Sequence, residues 1–217
     1  MGCDILALQV RQSALTGGFT YLSSGWTVFN HLAREEPEVL RVLLTPNWPV
    51  QISTRKDHYY MAPVFAIHDG RLLVSLDPNR LGPPPGTERH IPPLSLTQKH
   101  ALSRISEVAR RFELRLKLNT GDILFFNNWA LLHRRDAYQD DEHTSRHMVR
   151  LWLRNTKMGW AVPSCMLPPW LAAYGEASRN RPRLYPLHPM PNYVVPRYST
   201  GSAAFVIESE GEEFESA

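Results

Sequence analysis

The stretch GDILFFNNWALLHRRDAYQDDEHTSRHMVRLWLR (121–154) carries the strongest signal in this chain. An apolar strand-like run, ILFF (123–126), leads through a short turn to His133. A polar, acid-rich turn follows, then the strand-like run HMVRLWLR (147–154). Side chains alternate across a strand. Arg146, Met148, Arg150 and Trp152 are therefore predicted to share one face, and His147, Val149, Leu151 and Leu153 the other. The second set is the greasier. The first also holds Met148 and Trp152, which predicts a strand buried on both sides. Two arginines on a buried face call for anions, because an unpaired buried guanidinium is costly. Two sources stay open: Asp136, Asp140, Asp141 or Glu142 within the protein, or a bound carboxylate, which suits the planar guanidinium fork. His133 is open in the same way, as a hydrogen-bonded core histidine or as a ligand.

Over the whole chain, 217 residues at 43% hydrophobic suit one domain with a real core. With 18 prolines and 12 glycines, the chain is expected to be rich in turns rather than a helical bundle. No apolar run reaches the roughly 18–20 residues of a membrane span, and MGCDILALQV lacks a basic leader. Cys3 and Cys165 are too few for a disulfide framework. A reducing, cytoplasmic setting is the default expectation. Net charge is +3, but the tail from Glu208 onward carries five glutamates and no basic residue, leaving 24 basic against 16 acidic residues elsewhere. Scattered arginines, not runs interleaved with aromatics, make a solvated surface a better reading than nucleic-acid binding. Residues 201–217 are expected to be a disordered acidic tail, and 161–200 a proline-rich segment wrapping the surface.

The rest of the chain predicts a strand over 4–10, a turn at Thr16–Gly17–Gly18, and an extended piece from Phe19. Ser23 or Ser24 is expected to cap a helix with Trp26, Phe29, Leu32 and Ala33 as its apolar stripe. A second helix has Pro37 in its first turn and ends at TPNWP (45–49). YYMAPVFAIHDGRLLVSLD (59–77) predicts two strands joined at Asp69-Gly70. A loop over 78–93 precedes a helix capped by Thr97 and running to about Phe112. LRLKL (114–118) is a further strand. Helices do not alternate with single strands, so a mostly antiparallel β core with flanking helices is expected rather than a doubly wound sheet.

GDILFFNNWALLHRRDAY and RHMVRLWLR resemble the C-terminal part of the TauD/TfdA family of Fe(II)- and 2-oxoglutarate-dependent dioxygenases, which includes taurine dioxygenase and clavaminate synthase-like proteins. TGGFTYLSSGWTVFNHL (16–32) resembles the family segment of two glycines, a variable residue and threonine before a helix. The two blocks stand in the right order between about Asp4 and Leu153. The resemblance implies a double-stranded β-helix, or jelly roll, over residues 1–160, lacking an N-terminal part. It implies that His133 is the distal histidine of the metal triad, and that Arg146 and Thr20 bind 2-oxoglutarate. It implies that Arg150 can meet an anionic substrate group, and it puts Asn128 on the approach to the histidine as a possible pocket residue. Such sites hold Fe(II) by two histidines and one carboxylate and leave three positions open.

The other two family ligands come from an H-x-D or H-x-E motif, and none of the nine histidines has an acid two positions on. The chain is expected to begin just after that motif. Three explanations stay open: a longer protein, a degenerate paralogue, or a partner that supplies the rest. The first function reading is accordingly an Fe(II)/2-oxoglutarate oxidoreductase acting on a small organic molecule, with this chain alone expected to bind Fe(II) only weakly. The second is a non-catalytic protein or partner subunit that keeps a carboxylate pocket. Either way, sheet edges and apolar surface are expected to lie exposed.

Overall fold

The computed structural model describes residues 3–52, 59–83, 90–155 and 157–174. In chain order the strands and helices are β1 (Ile5–Gln12), β2 (Thr16–Gly17), β3 (Thr20–Ser24), α1 (Gly25–Glu35), α2 (Pro37–Leu44), β4 (Trp48–Gln51), β5 (Tyr59–Ala62), β6 (Phe65–His68), β7 (Arg71–Val74), α3 (Leu96–Arg111), β8 (Leu114–Leu116), β9 (Ile123–Asn127), β10 (Leu131–Arg135), β11 (Tyr138–Gln139), β12 (His147–Leu153) and α4 (Leu167–Tyr174). The mainly β fold with flanking helices is borne out. The acidic tail, most of the proline-rich segment and the middle of the 78–93 loop lie outside the described residues.

Two three-stranded antiparallel sheets position the site. In the first, β1 lies between β12 and β9, with Ala7 opposite Leu151 on one side and Phe125 on the other. In the second, β3 lies between β10 and β8, with Leu22 opposite His133 and Thr20 opposite Arg135. Their inner faces meet: Leu22 and Leu131 pack with Cys3, Leu6, Leu8, Phe126, Met148 and Trp152. β2 and β11 close the same end by a short pairing of Gly17 with Tyr138.

A separate core lies under the helices. Val28, Leu32, Leu43, Trp48, Phe65, Leu72 and Ile105 are essentially buried there, with α1 and α2 packed on the β6–β7 hairpin and α3 packed on α1 and α2. Each fully buried side chain of this kind contributes about 1.5–3 kcal/mol. Glu36 ties the α1–α2 joint to α3 by a two-pronged pair with Arg104, at 2.7 Å for both bonds.

Several local expectations needed correction. In α1 the buried stripe is Gly25, Val28 and Leu32, while Trp26 is 43% exposed and Ala33 is also exposed. Ser24, one of the two serines expected to cap that helix, does so, its hydroxyl accepting from Thr27 N–H. The buried face is set by what the helix packs on: Gly25, whose N–H donates to the Ala130 carbonyl at 2.8 Å, turns inward, and Val28 and Leu32 follow at spacings of three and four. The α3 cap is Ser95, in a reciprocal capping box with Gln98, rather than Thr97. The second helix ends at Thr45, as expected, but no strand is predicted for the WPVQ that follows. It forms β4, paired with β5 on one side and by a single bridge from Val50 to Leu81 on the other, where Pro49 contributes its carbonyl to Gly82 N–H at 2.9 Å and so needs no N–H of its own. Pro63 splits the predicted first strand of 59–77 into β5 and β6. Within 161–200, the described part is not merely irregular. α4 buries Trp170 against Trp129, beside Met166 and Leu73.

β12 also departs from the expectation of burial on both sides. Met148 and Trp152 face the inner cluster, but Leu151 is 51% and Leu153 37% exposed. Ile123 and Phe125 on β9 share that outer face by register and are 51% and 59% exposed. The greasier face of the strand is thus the open one, in line with the expectation of exposed apolar surface.

Candidate active site: one imidazole and a group of arginines

His133 is placed by β10, whose alternation turns it, together with Arg135, toward the inner sheet; its ring lies 5.1 Å from that of Phe126. The imidazole is open to solvent yet hemmed by protein. Burial pushes its pKa down from 6.5 to about 4, with the Arg150 charge acting in the same direction and Asp77 opposing. The ring is therefore neutral at physiological pH and keeps a lone pair free, as a metal ligand requires.

Arg150 comes from β12 of the facing sheet. Burial pulls its guanidinium pKa down, and the Asp77 carboxylate works against that. Asp77 follows β7, far away in sequence. It caps the Pro78–Arg80 turn by accepting from Asn79 N–H at 3.1 Å. Its charge reaches both His133 and Arg150, a juxtaposition that sequence reading missed because nothing local in 59–77 signals it.

Arg146 stands just before β12. Its guanidinium touches the Met148 sulfur and lies 5.3 Å from the centre of the Tyr138 ring. Burial lowers its pKa, and the neighbouring Arg135 charge lowers it further. The double glycine explains how it fits. Gly18 has φ +71°, and a Cβ there would lie 3.2 Å from Arg146 Nε; a Cβ on Gly17 would lie 2.3 Å from the Ala137 carbonyl oxygen. Thr20, 4% exposed, follows on β3 opposite Arg135. The glycines thus let Arg146 approach the strand that carries Thr20.

The acids of the adjoining turn hold other groups rather than the Arg146 guanidinium, although Asp136 keeps one oxygen, Oδ1, buried without a partner. Asp140 accepts from the Arg146 backbone N–H at 2.8 Å, Asp141 accepts from His143 and Thr144 N–H, and Asp136 accepts from Tyr21 O–H at 3.3 Å. Among the described residues, no salt bridge joins any of them to Arg146. Arg134, on the opposite face of β10, is by contrast paired with Glu113 and stacked on Tyr21.

Asn128 lies in the β9–β10 turn. Its backbone N–H donates to the Asp4 carbonyl at 3.0 Å. Asp4 itself is structural: its carboxylate accepts from Trp129 Nε1 at 3.3 Å and Asn155 N–H at 2.7 Å. Cys3 is fully buried, and burial pushes its thiol up to about 12, so it stays protonated. Neither replaces a missing metal ligand. Among the described residues, no group of three or more histidine, cysteine, aspartate or glutamate side chains is placed to hold a metal ion.

These residues therefore fit a carboxylate better than they fit iron. A single imidazole is not a facial triad, whereas Arg146, Arg135 and Thr20 form a cationic, hydrogen-bonding end to the space between the sheets. No helix among the described residues is long and apolar enough to cross a membrane.

Known proteins bear on this arrangement. The chain is 29% identical over 163 residues to a taurine hydroxylase-like protein, SAT17, of Stachybotrys chartarum, covering 73% of this chain and 42% of that protein. It is 27% identical over 172 residues to FR-33289 synthase of Streptomyces rubellomurinus, covering 75% and 50%. The chain thus spans about half the length of the curated relatives it matches. The structure of an asparagine oxygenase in complex with Fe(II), 2S,3S-3-hydroxyasparagine and succinate superposes with a TM-score of 0.53 at 15% identity, over 70% of this chain and 46% of the other. That likeness shows the fold. The model of the taurine catabolism dioxygenase TauD, TfdA family matches residues 3–152, and the chain belongs to that family.

Proposed function

We propose that this chain is the 2-oxoglutarate-anchoring half of an Fe(II)/2-oxoglutarate-dependent oxygenase acting on a small organic molecule. The observation that supports it most is the grouping of a neutral His133 with Arg146 and Thr20 between two stacked sheets. In this reading Arg146 and Thr20 hold the far carboxylate of the co-substrate. Arg150, across the gap from His133, meets an anionic group of the substrate, and Asn128 borders the pocket. His133 supplies one of three protein ligands to iron. When bound, the iron would supply the oxidative chemistry. The described residues do not complete its site.

The remaining ligands would come from further polypeptide, joined to this chain or separate. The open apolar face of β9, β1 and β12 supports such a complement, since soluble proteins rarely leave a contiguous greasy patch of this kind uncovered. The incomplete donor set favours a second reading, a non-catalytic carboxylate-binding protein. A nucleic-acid module is disfavoured, because Arg34, Arg41, Arg104 and Arg134 are paired with neighbouring glutamates.

Calorimetric titration of the purified chain with 2-oxoglutarate tests the proposal. Binding is expected, weakened at least about tenfold by Arg146→Ala, the loss that one charge-assisted contact predicts. Absence of any carboxylate binding would sink both readings. Anaerobic Fe(II) loading followed by metal analysis separates them: stoichiometric iron with succinate release by this chain alone would overturn the incomplete-site reading.

A further inference from the structure

We propose that Arg135 is a second guanidinium of the carboxylate subsite, acting with Arg146 around Tyr138 to hold a dicarboxylate. The inference rests on the carboxylate-binding reading above and adds a residue to it.

Three observations support it. First, strand alternation puts Arg135 on the face of β10 that carries His133, and register sets it opposite Thr20. Second, its guanidinium lies 4.3 Å from the centre of the Tyr138 ring, the same ring that Arg146 approaches at 5.3 Å. One ring therefore organises two like charges. Each cation–π contact stabilises by only about 0.5–2 kcal/mol, and it does nothing to relieve the repulsion between the guanidinia. Third, no salt bridge joins Arg135 or Arg146 to a carboxylate among the described residues, although Arg134 next door is paired with Glu113. A diacid that gives one carboxylate to each would satisfy both.

The spacing suits a diacid. The two guanidinium carbons lie 4.3 and 5.3 Å from the centre of the same ring, so they stand close enough together for the two ends of a short dicarboxylate to reach one each. Arg135 would thus be a positioning residue that selects for length and for a second negative charge.

The test is titration of the full chain with 2-oxoglutarate, succinate and acetate, comparing Arg135→Gln, Arg135→Lys and Arg146→Ala. Arg110→Gln, on the exposed side of α3, controls for the change in net charge. Arg135→Gln is expected to weaken 2-oxoglutarate and succinate about tenfold while changing acetate little, with Arg135→Lys recovering part of the loss. If Arg135→Gln behaves as Arg110→Gln while Arg146→Ala still abolishes binding, the inference is wrong and the carboxylate site stands. If the unaltered chain binds none of the three, the site reading fails and the inference with it. Should Arg135→Gln not fold, the Lys variant decides: undiminished discrimination between diacid and acetate, with undiminished affinity, would count against a role for the guanidinium fork.

Discussion

The helix-covered core and the two-sheet layer differ in how far they are finished. Under α1, α2 and α3 the apolar side chains are enclosed from all sides, and the polar groups at the rim are paired, as Glu36 with Arg104. Between the sheets, an apolar cluster ends in a histidine and arginines, and the outer face of β9, β1 and β12 is greasy but open. The enclosed core is thus where stability is concentrated, and the two-sheet layer is where the proposed site lies. One region can lose a methyl group only at a cost. The other gathers charge at one end of its inner cluster and leaves apolar surface open on its outer face.

The largest effect is expected from a cavity. Leu43 is fully buried in the helix-covered core, and Leu43→Ala is expected to lower stability by about 2–5 kcal/mol in urea unfolding. A loss below about 1 kcal/mol would mean that this core is not the stable one. Next comes the tie between the strand-leading segment of β1 and the end of β12: Asp4→Ala leaves the Trp129 and Asn155 donors unmatched and should cost about 1–3 kcal/mol, read in the same unfolding experiment.

A pH experiment probes the cleft. The His133 pKa is depressed from 6.5 to about 4 in the folded protein. Between those values the unfolded chain binds a proton that the folded one does not, so stability is full above pH 6.5 and falls as pH drops toward 4. The effect should be well below that of an enclosed histidine, because the ring is open to solvent. His133→Asn should flatten this part of the profile; an unchanged slope would assign it to other groups. The smallest effect is expected on the open face. Phe125→Ser with Leu151→Ser should change stability by less than about 0.5 kcal/mol per site while raising solubility. A large destabilisation would show that the face is already covered.

Much of the site is legible in the residues alone. Period-two alternation puts Arg146 and Arg150 on one face of the last strand, and it could equally have flagged Arg135, two residues after His133. Asp77 has no such signal, since its relation to His133 and Arg150 exists only once the turn after β7 folds over the sheets. The α3 cap moved two positions, from Thr97 to Ser95, because neighbouring hydroxyls offer equivalent capping oxygens; the buried face of α1 differs from its expected stripe because long-range contacts such as Gly25 with Ala130 turn that face inward.

Local sterics and residue identity were enough to settle the type of each strong element, the turn chemistry of Gly17-Gly18 and Asp69-Gly70, and the lack of an H-x-D or H-x-E motif in these 217 residues. Which face of β12 lies inside was decided only in three dimensions. Both faces are apolar, so alternation alone cannot choose between them; the choice falls to the partner that Met148 and Trp152 find in Cys3, Leu6, Leu8 and Phe126, which leaves Leu151 and Leu153 outward.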